Sequence, residues 1–359
     1  MSIINRYVLR QFIRYGVICL GVSIFIYVVI NLFDNLGKFL AKNASALDIM
    51  LYYVYLTPSY AILLIPVASM IAVFLVFGIM TKNRELLILK TSGFSINNLF
   101  YLLLLTGVAI AIGTFIFQET IGVWAQTRLI EHEQVRINRR PKREDLWRRN
   151  FFYYGEDNWI YFVRKFDGRI NTMDDVILWK TTRDNKVKKR VDAPHGRFDG
   201  IWVFENATLR QFDTLEHEIV TRHSLLTMPE LAEKPTDFLK RIKPAEEMNF
   251  LQISAFVKKR QRAGQDVAKE EVELNYRFSY PIITLVLLLI TLPISVVLRR
   301  GGIAVGLGIS IGLSFVYWGF IQSSRAYGVA GILNPFLAAW LPNIAFGVIG
   351  LILFLRAPR

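Results

Sequence analysis

A single cysteine, Cys19, stands among the 359 residues, and it falls inside an apolar run. It can form no intrachain disulfide and seed no thiolate metal cluster. The four histidines, His132, His195, His217 and His223, show no H-E-x-x-H spacing and no cysteine partner. Hydrogen-bonded loop imidazoles are the simpler account of them than metal ligands. No G-x-x-x-x-G-K-[ST] loop is present, which excludes nucleotide binding by that route, and no G-x-S-x-G turn supplies a nucleophile. No catalytic residue, cofactor or metal is expected of this chain.

What is present is apolar surface in long runs. With 53% hydrophobic and 20% charged residues, the chain is too apolar for an ordinary soluble protein and too charged to be membrane throughout. Its polarity must be segregated. Runs able to cross about 30 Å of hydrocarbon as helices of roughly 20 residues occur near 15–36, 50–80, 97–124, 278–298, 303–322 and 335–355. Three regions follow: 1–125 with an N-terminal amphipathic helix and three spans, 126–270 as a polar insert with helical linkers, and 271–359 with three more spans. The first run is too long for a cleaved signal and lacks a small-residue cleavage site, so it is expected to stay as an anchor.

The short loops set the orientation. With the N-terminus inside, the inner segments carry ten bases (Arg6, Arg10, Arg14, Lys82, Arg84, Lys90, Arg299, Arg300, Arg356 and Arg359) against one acid, Glu85. The outer short loops carry Lys38, Lys42 and Arg325 against Asp34 and Asp48. Both termini are therefore expected inside, and the insert, following an odd number of spans, outside. The net charge of +14 is then a topological signal spread around the spans, so no nucleic-acid partner is expected.

Residues 1–14 alternate apolar positions with Arg6, Arg10 and Arg14, the pattern of an interfacial amphipathic helix or of a simple basic flank. Pro58 and Pro66 predict a bent second span. The fifth opens on Gly301-Gly302 and spaces Gly302 with Gly306, and Gly308 with Gly312, as helix-contact faces, within one subunit or between two. From about 150 the period becomes strand-like, with turns at Gly155-Glu156-Asp157-Asn158, Asp184-Asn185 and Asp199-Gly200. Such strands argue for a sandwich or jelly roll. A helix over 249–264, ending near Gly264, leads back to the fourth span.

Two elements carry candidate function. The inner loop "TKNRELLILKTSGFS" places Leu86, Leu87, Ile88 and Leu89 between Glu85 and Lys90, then stops at Ser92-Gly93. This short amphipathic helix could dock into a groove of a soluble partner or simply rest on lipid. At the outer end of the first span, Lys38 and Lys42 lie one turn apart on one face, placed to pair with lipid phosphates or to anchor the helix by snorkelling. Arg277 and Arg325, at the outer ends of spans four and five, are candidate additions to a lipid-binding set.

At these residues the sequence resembles the lipopolysaccharide-export permease family, the paired F and G subunits of an ABC transporter. The likeness covers nearly the whole chain: "INRYVLRQFI", "RELLILKTSGFS", the β insert between spans three and four, "ELNYRF" opening the fourth span, and "LPISVVLRRGG" closing it. It implies six membrane helices with an inserted periplasmic jelly-roll-like β domain, in the inner membrane of a Gram-negative bacterium. It implies a heterodimer with a homologous permease, a cytoplasmic ABC ATPase dimer that alone hydrolyses ATP, periplasmic jelly-roll bridge proteins, and lipopolysaccharide as cargo. The family's coupling-helix glutamate is matched by Glu85, and its small residues by Ser92 and Gly93. Lys38, after Asp34, matches the G-type basic cluster, while a further lysine of that cluster falls on Asn31; "ELNYRF" is nearer the F-type, so the choice within the pair stays open. The competing class is a membrane-anchored sensor or assembly scaffold with a ligand-binding β domain.

Overall fold

The computed structural model describes residues 3–138, 146–182, 186–212, 218–239, 244–262, 265–297 and 302–356. The turn expected at Asp184-Asn185, the helix end at Gly264, and Gly301, Arg299, Arg300, Arg359 and His217 lie outside them. The chain forms two compact units, one of residues 1–139, 245–253 and 268–359, the other of 140–244 and 254–267.

Among the described residues, six helices of the first unit are long and apolar enough to cross a membrane. They are α1 (Ile3–Ala41), α2 (Ala46–Lys82), α4 (Ile96–Phe117) with its continuation, α8 (Ala268–Val297), α9 (Gly302–Val329) and α10 (Pro335–Leu355). A seven-residue helix, α3 (Glu85–Thr91), joins α2 to α4. The third span runs on past residue 124 through a π-helical turn (Gln118–Gly122), α5 (Val123–His132) and a second π turn (Glu133–Ile137). At 1.5 Å per residue the 39 residues of α1 reach about 58 Å, well beyond the hydrocarbon. Its polar ends therefore stand in the interfaces.

Two of the prolines inside spans are accommodated by neighbouring helices. Pro66 cannot donate to Ile62 O, and the Tyr280 hydroxyl of α8 lies 3.5 Å from that oxygen and 3.1 Å from Leu63 O. Pro342 frees Ala338 O in the same way, and Ser324 of α9 donates to it at 2.7 Å. Where water is absent, such freed carbonyls need a protein donor. Asn343 extends the network, accepting from the Tyr317 hydroxyl and donating to Ser279 O at 2.7 Å. Of the glycines expected to form contact faces, Gly306 lies so close to the Phe74 ring of α2 that a Cβ would meet it at 2.7 Å, whereas Gly308 and Gly312 face open space. α8, packed on α2, α4 and α10, is the most buried span.

The second unit is the inserted β domain. Strands β1 (Trp147–Tyr154), β2 (Trp159–Asp167), β3 (Thr172–Thr181), β4 (Val187–Asp199), β5 (Ile201–Phe212) and β6 (Glu218–Met228) pair antiparallel in chain order. The turns predicted at 155–158 and at Asp199-Gly200 are present, Gly200 supplying φ +76°. Alternation is interrupted at one line. Two outward residues stand between inward ones at 164–165, 174–175, 194–195 and 205–206, so each strand slips its period by one at the same level. The register aligns Asn150, Arg164, Asp175, Pro194 and Asn206 in one row across five strands. Asn150, Asp175 and Asn206 in that row have φ of +47°, +48° and +50°, a left-handed kink that Asn and Asp tolerate best.

The row is a corner that folds the sheet over its own core. Phe238, on the short helix α6 (Pro235–Leu239), lies 6.4 Å from Phe151 of β1 and 5.7 Å from Trp202 of β5. In a flat sheet those strands would be about 19 Å apart, at about 4.8 Å per step. The sheet therefore curls around Phe238, which also touches Tyr161 and Phe166. Buried Glu233 locks the first hairpin, accepting from Glu156 N and the Tyr161 hydroxyl, with Gly155 leaving no room for a Cβ beside it. Helix α7 (Phe250–Arg262) follows, and the boundary between the two units falls within it.

Candidate functional site

The inner loop forms the predicted helix, and its four apolar residues divide. Leu86 is 5% exposed and packs with Val8, Phe12 and Met80, and Leu89 lies against the same cluster. Leu87 and Ile88, 57% and 62% exposed, are the pair left outward. Of the residues expected to meet a partner, Leu86 and Leu89 thus serve this chain's own core, because a helix of two turns cannot show four consecutive residues on one face. Glu85 accepts from the Tyr7 hydroxyl of α1 at 3.2 Å and from Asn83 at 3.2 Å. Gly93 closes the helix at φ +77°, and Ser92 returns its hydroxyl to Leu89 O at 2.9 Å. Tyr7 and buried Val8 tie the N-terminal turns of α1 to this loop.

At the other end of the spans the four predicted cations occupy different environments. Lys38 pairs with Glu133 of the second π turn at 2.5 Å, while Lys42 is exposed and forms no ion pair among the described residues. Arg277 is 3% exposed and pairs with Glu119 at 2.7 Å, donating also to Ala245 O at 3.1 Å. The other oxygen of Glu119 accepts from Phe250 N at 2.6 Å. Arg325 pairs with Glu273 at 2.7 Å and stacks over Tyr276, 4.2 Å from its ring centre.

Arg277 and Arg325 share one cavity of about 410 Å³, whose wall includes Gln118, Glu273, Tyr276, Tyr280 and Gln322. The structure does not bring Lys38 and Lys42 into it. Arg277 Nε and Gln118 Oε1 are buried without a partner among the described residues, so the cavity keeps hydrogen-bonding capacity unspent. Glu119 sits in a π-helical turn, a distortion that in membrane and soluble helices alike often marks functional positions. Glu119, Glu133 and Glu273 are not among the candidate site residues that the sequence singles out. Glu119 carried a usable signal, an ionisable residue inside an apolar span.

The remaining histidines are accounted for by hydrogen bonds. His132 meets Asp48 O at 2.9 Å, His195 meets Asp174 at 3.0 Å, and His223 meets Thr221 at 3.3 Å. One end of the spans thus carries two arginines held by carboxylates at a cavity, with the Lys38–Glu133 pair and exposed Lys42 outside it, and the other end carries a short amphipathic helix. The family profile described as Lipopolysaccharide export system permease LptF/LptG matches residues 6–356. No curated protein matches the chain.

Proposed function

The chain belongs to the lipopolysaccharide export permease family, and we propose that it extracts lipopolysaccharide from the outer leaflet of the inner membrane and passes it to a periplasmic bridge. It is a transport subunit. In this reading it has no catalysis of its own, pairs with a homologous permease, and takes its motion from a cytoplasmic ATPase dimer bound at α3 through Leu87, Ile88 and Glu85. Residues 126–270 would then face the periplasm, where the curled sheet can receive acyl chains and offer an edge strand to a jelly-roll bridge.

The observation that supports this most is the pairing of Lys38, Arg277 and Arg325 with Glu133, Glu119 and Glu273. A carboxylate holds each cation in place without a ligand, and a lipid phosphate offers more acceptor oxygens to the same donors. Cargo binding becomes an exchange of counter-ions, which is readily reversed when the cavity narrows. Exposed Lys42 is the cation a phosphate meets first.

The test is Lys38→Glu with Lys42→Glu in the full transporter reconstituted in nanodiscs. The expected result is loss of lipopolysaccharide-stimulated ATPase activity and of export, with basal hydrolysis kept. Normal export by the double variant would reduce both lysines to interfacial anchors and overturn the assignment.

A further inference from the structure

A second cavity, of about 480 Å³, is lined by residues of the apolar spans, none of them charged. It is a crevice between α1 and α4, walled by Phe12, Gly16 and Val17 on one side and Ala109 and Gly113 on the other, and floored by Ala68 of α2. Small residues make it. A Cβ at Gly113 would meet nothing within 4 Å, and at Gly16 only Ala72 at 3.9 Å. Val17 is 66% exposed, so the crevice opens sideways to the surroundings of the helices. In a bilayer that opening faces hydrocarbon, where an unfilled groove forfeits its dispersion contacts.

Its lining suits one kind of occupant. On the α1 side the wall is apolar from Phe12 to Leu20, a rise of about 12 Å that a hydrocarbon chain can follow. Arg10 and Arg14 stand outside the lining but precede its residues Ile13 and Val17 by one turn of α1, and helical side chains lean towards the N-terminus. Both arginines are exposed and form no ion pair among the described residues. Their stems can run along the apolar wall while the guanidinium groups reach the interface.

We propose that this crevice binds one acyl chain of an anionic phospholipid from the leaflet that holds the N-terminal turns of α1, with its phosphate on Arg10 and Arg14. Bidentate guanidinium–phosphate contacts make the headgroup selective, and the crevice makes the chain's position defined. The bound lipid then fills the gap between α1 and α4 and packs beside Phe12, which belongs to the cluster that also holds Leu86 of α3.

The experiment uses the full transporter in nanodiscs doped with a photoactivatable-acyl phosphatidylglycerol, with adducts mapped by peptide mass spectrometry. Adducts are expected on residues 12–20 or 106–117, at least threefold above those from the matched phosphatidylcholine probe. Gly113→Phe, which fills the crevice, should cut labelling there tenfold, and Ala109→Leu should do the same if the first variant fails to assemble. Arg10→Gln with Arg14→Gln should remove the headgroup preference while leaving chain labelling by the phosphatidylcholine probe. Equal labelling by both probes in the unaltered protein, or labelling unchanged in the crevice-filling variants, would overturn the proposal. So would displacement of the probe by added lipopolysaccharide, which would make the crevice a cargo site, or a photo-crosslinker at position 113 that captured the partner permease.

Discussion

Tyr280 and Ser324 show how single hydroxyls settle the geometry of helices they do not belong to. Pro58 and Pro66 predict a bent second span from the sequence, whereas Pro342 in the sixth is not singled out. The donors that cover the freed carbonyls are not legible there, because Tyr280 is more than two hundred residues from Ile62 in the chain. A buried hydrogen bond between membrane helices is worth about 0.6 kcal/mol on average and up to about 1.7. Ser324→Ala and Tyr280→Phe should each cost about 0.5–1.5 kcal/mol, read as a lowered midpoint in detergent unfolding. Absence of any shift in both would mean that the freed carbonyls need no side-chain donor. A second residue-scale consequence concerns pH. Burial, and then the Glu233 charge, pushes the Tyr161 phenol well above its usual range, and burial raises Tyr153 to about 12. A raised folded pKa gives stability that is complete below the unfolded value near 10 and lost as pH rises through the folded one. The β domain should therefore weaken from about pH 10 upwards. Thermal melts by near-ultraviolet circular dichroism of the full chain should show that decline, and Tyr161→Phe should flatten it while lowering stability at neutral pH.

At the scale of elements, the legible part of the fold was the part governed by one period. Six apolar runs and a strand-like insert follow from hydropathy and alternation, and the turns at 155–158 and 199–200 follow from residues that accept left-handed backbone. The corner of the sheet was not legible, because it consists of a one-residue slip repeated at a common level in strands whose register the sequence does not specify. Asn150, Asp175 and Asn206 looked like ordinary polar positions until pairing placed them in one row. The division of Leu86 from Leu87 was hidden for a related reason: a run of four apolar residues names no face. The corner is testable. For a β-branched residue the left-handed region costs about 1–2 kcal/mol, so Asn206→Val should lower the unfolding midpoint of the β domain by that free energy. Asn206→Gly, which meets no such penalty, should stay within a few tenths of a kcal/mol of the parent. Equal effects of the two substitutions would show that the side chain of Asn206, not its backbone, holds the corner.

For the whole molecule the open physical question is direction, since six helices and an insert can stand in a bilayer either way up. Ten bases against one acid in the segments on the N-terminal side, and three against two on the other, favour the first side as cytoplasmic. The roles proposed for the two ends depend on that choice. Only with α3 inside can Leu87 and Ile88 meet an ATPase, and only with the insert outside can Lys38, Lys42, Arg277 and Arg325 stand at the depth of phosphates in the outer leaflet. Cys19 is the sole cysteine, so Cys19→Ser gives a thiol-free background in which single cysteines report exposure. Ser92→Cys lies beside α3, Asp199→Cys in the exposed turn between β4 and β5, and Ala330→Cys in the exposed loop between α9 and α10. In intact cells with a permeable outer membrane, a maleimide that cannot cross the inner membrane should label positions 199 and 330 and spare 92 until the cells are lysed. The reverse pattern would place α3 outside, leaving the outward pair Leu87 and Ile88 with no ATPase to meet and the paired cations in the wrong leaflet for the cargo.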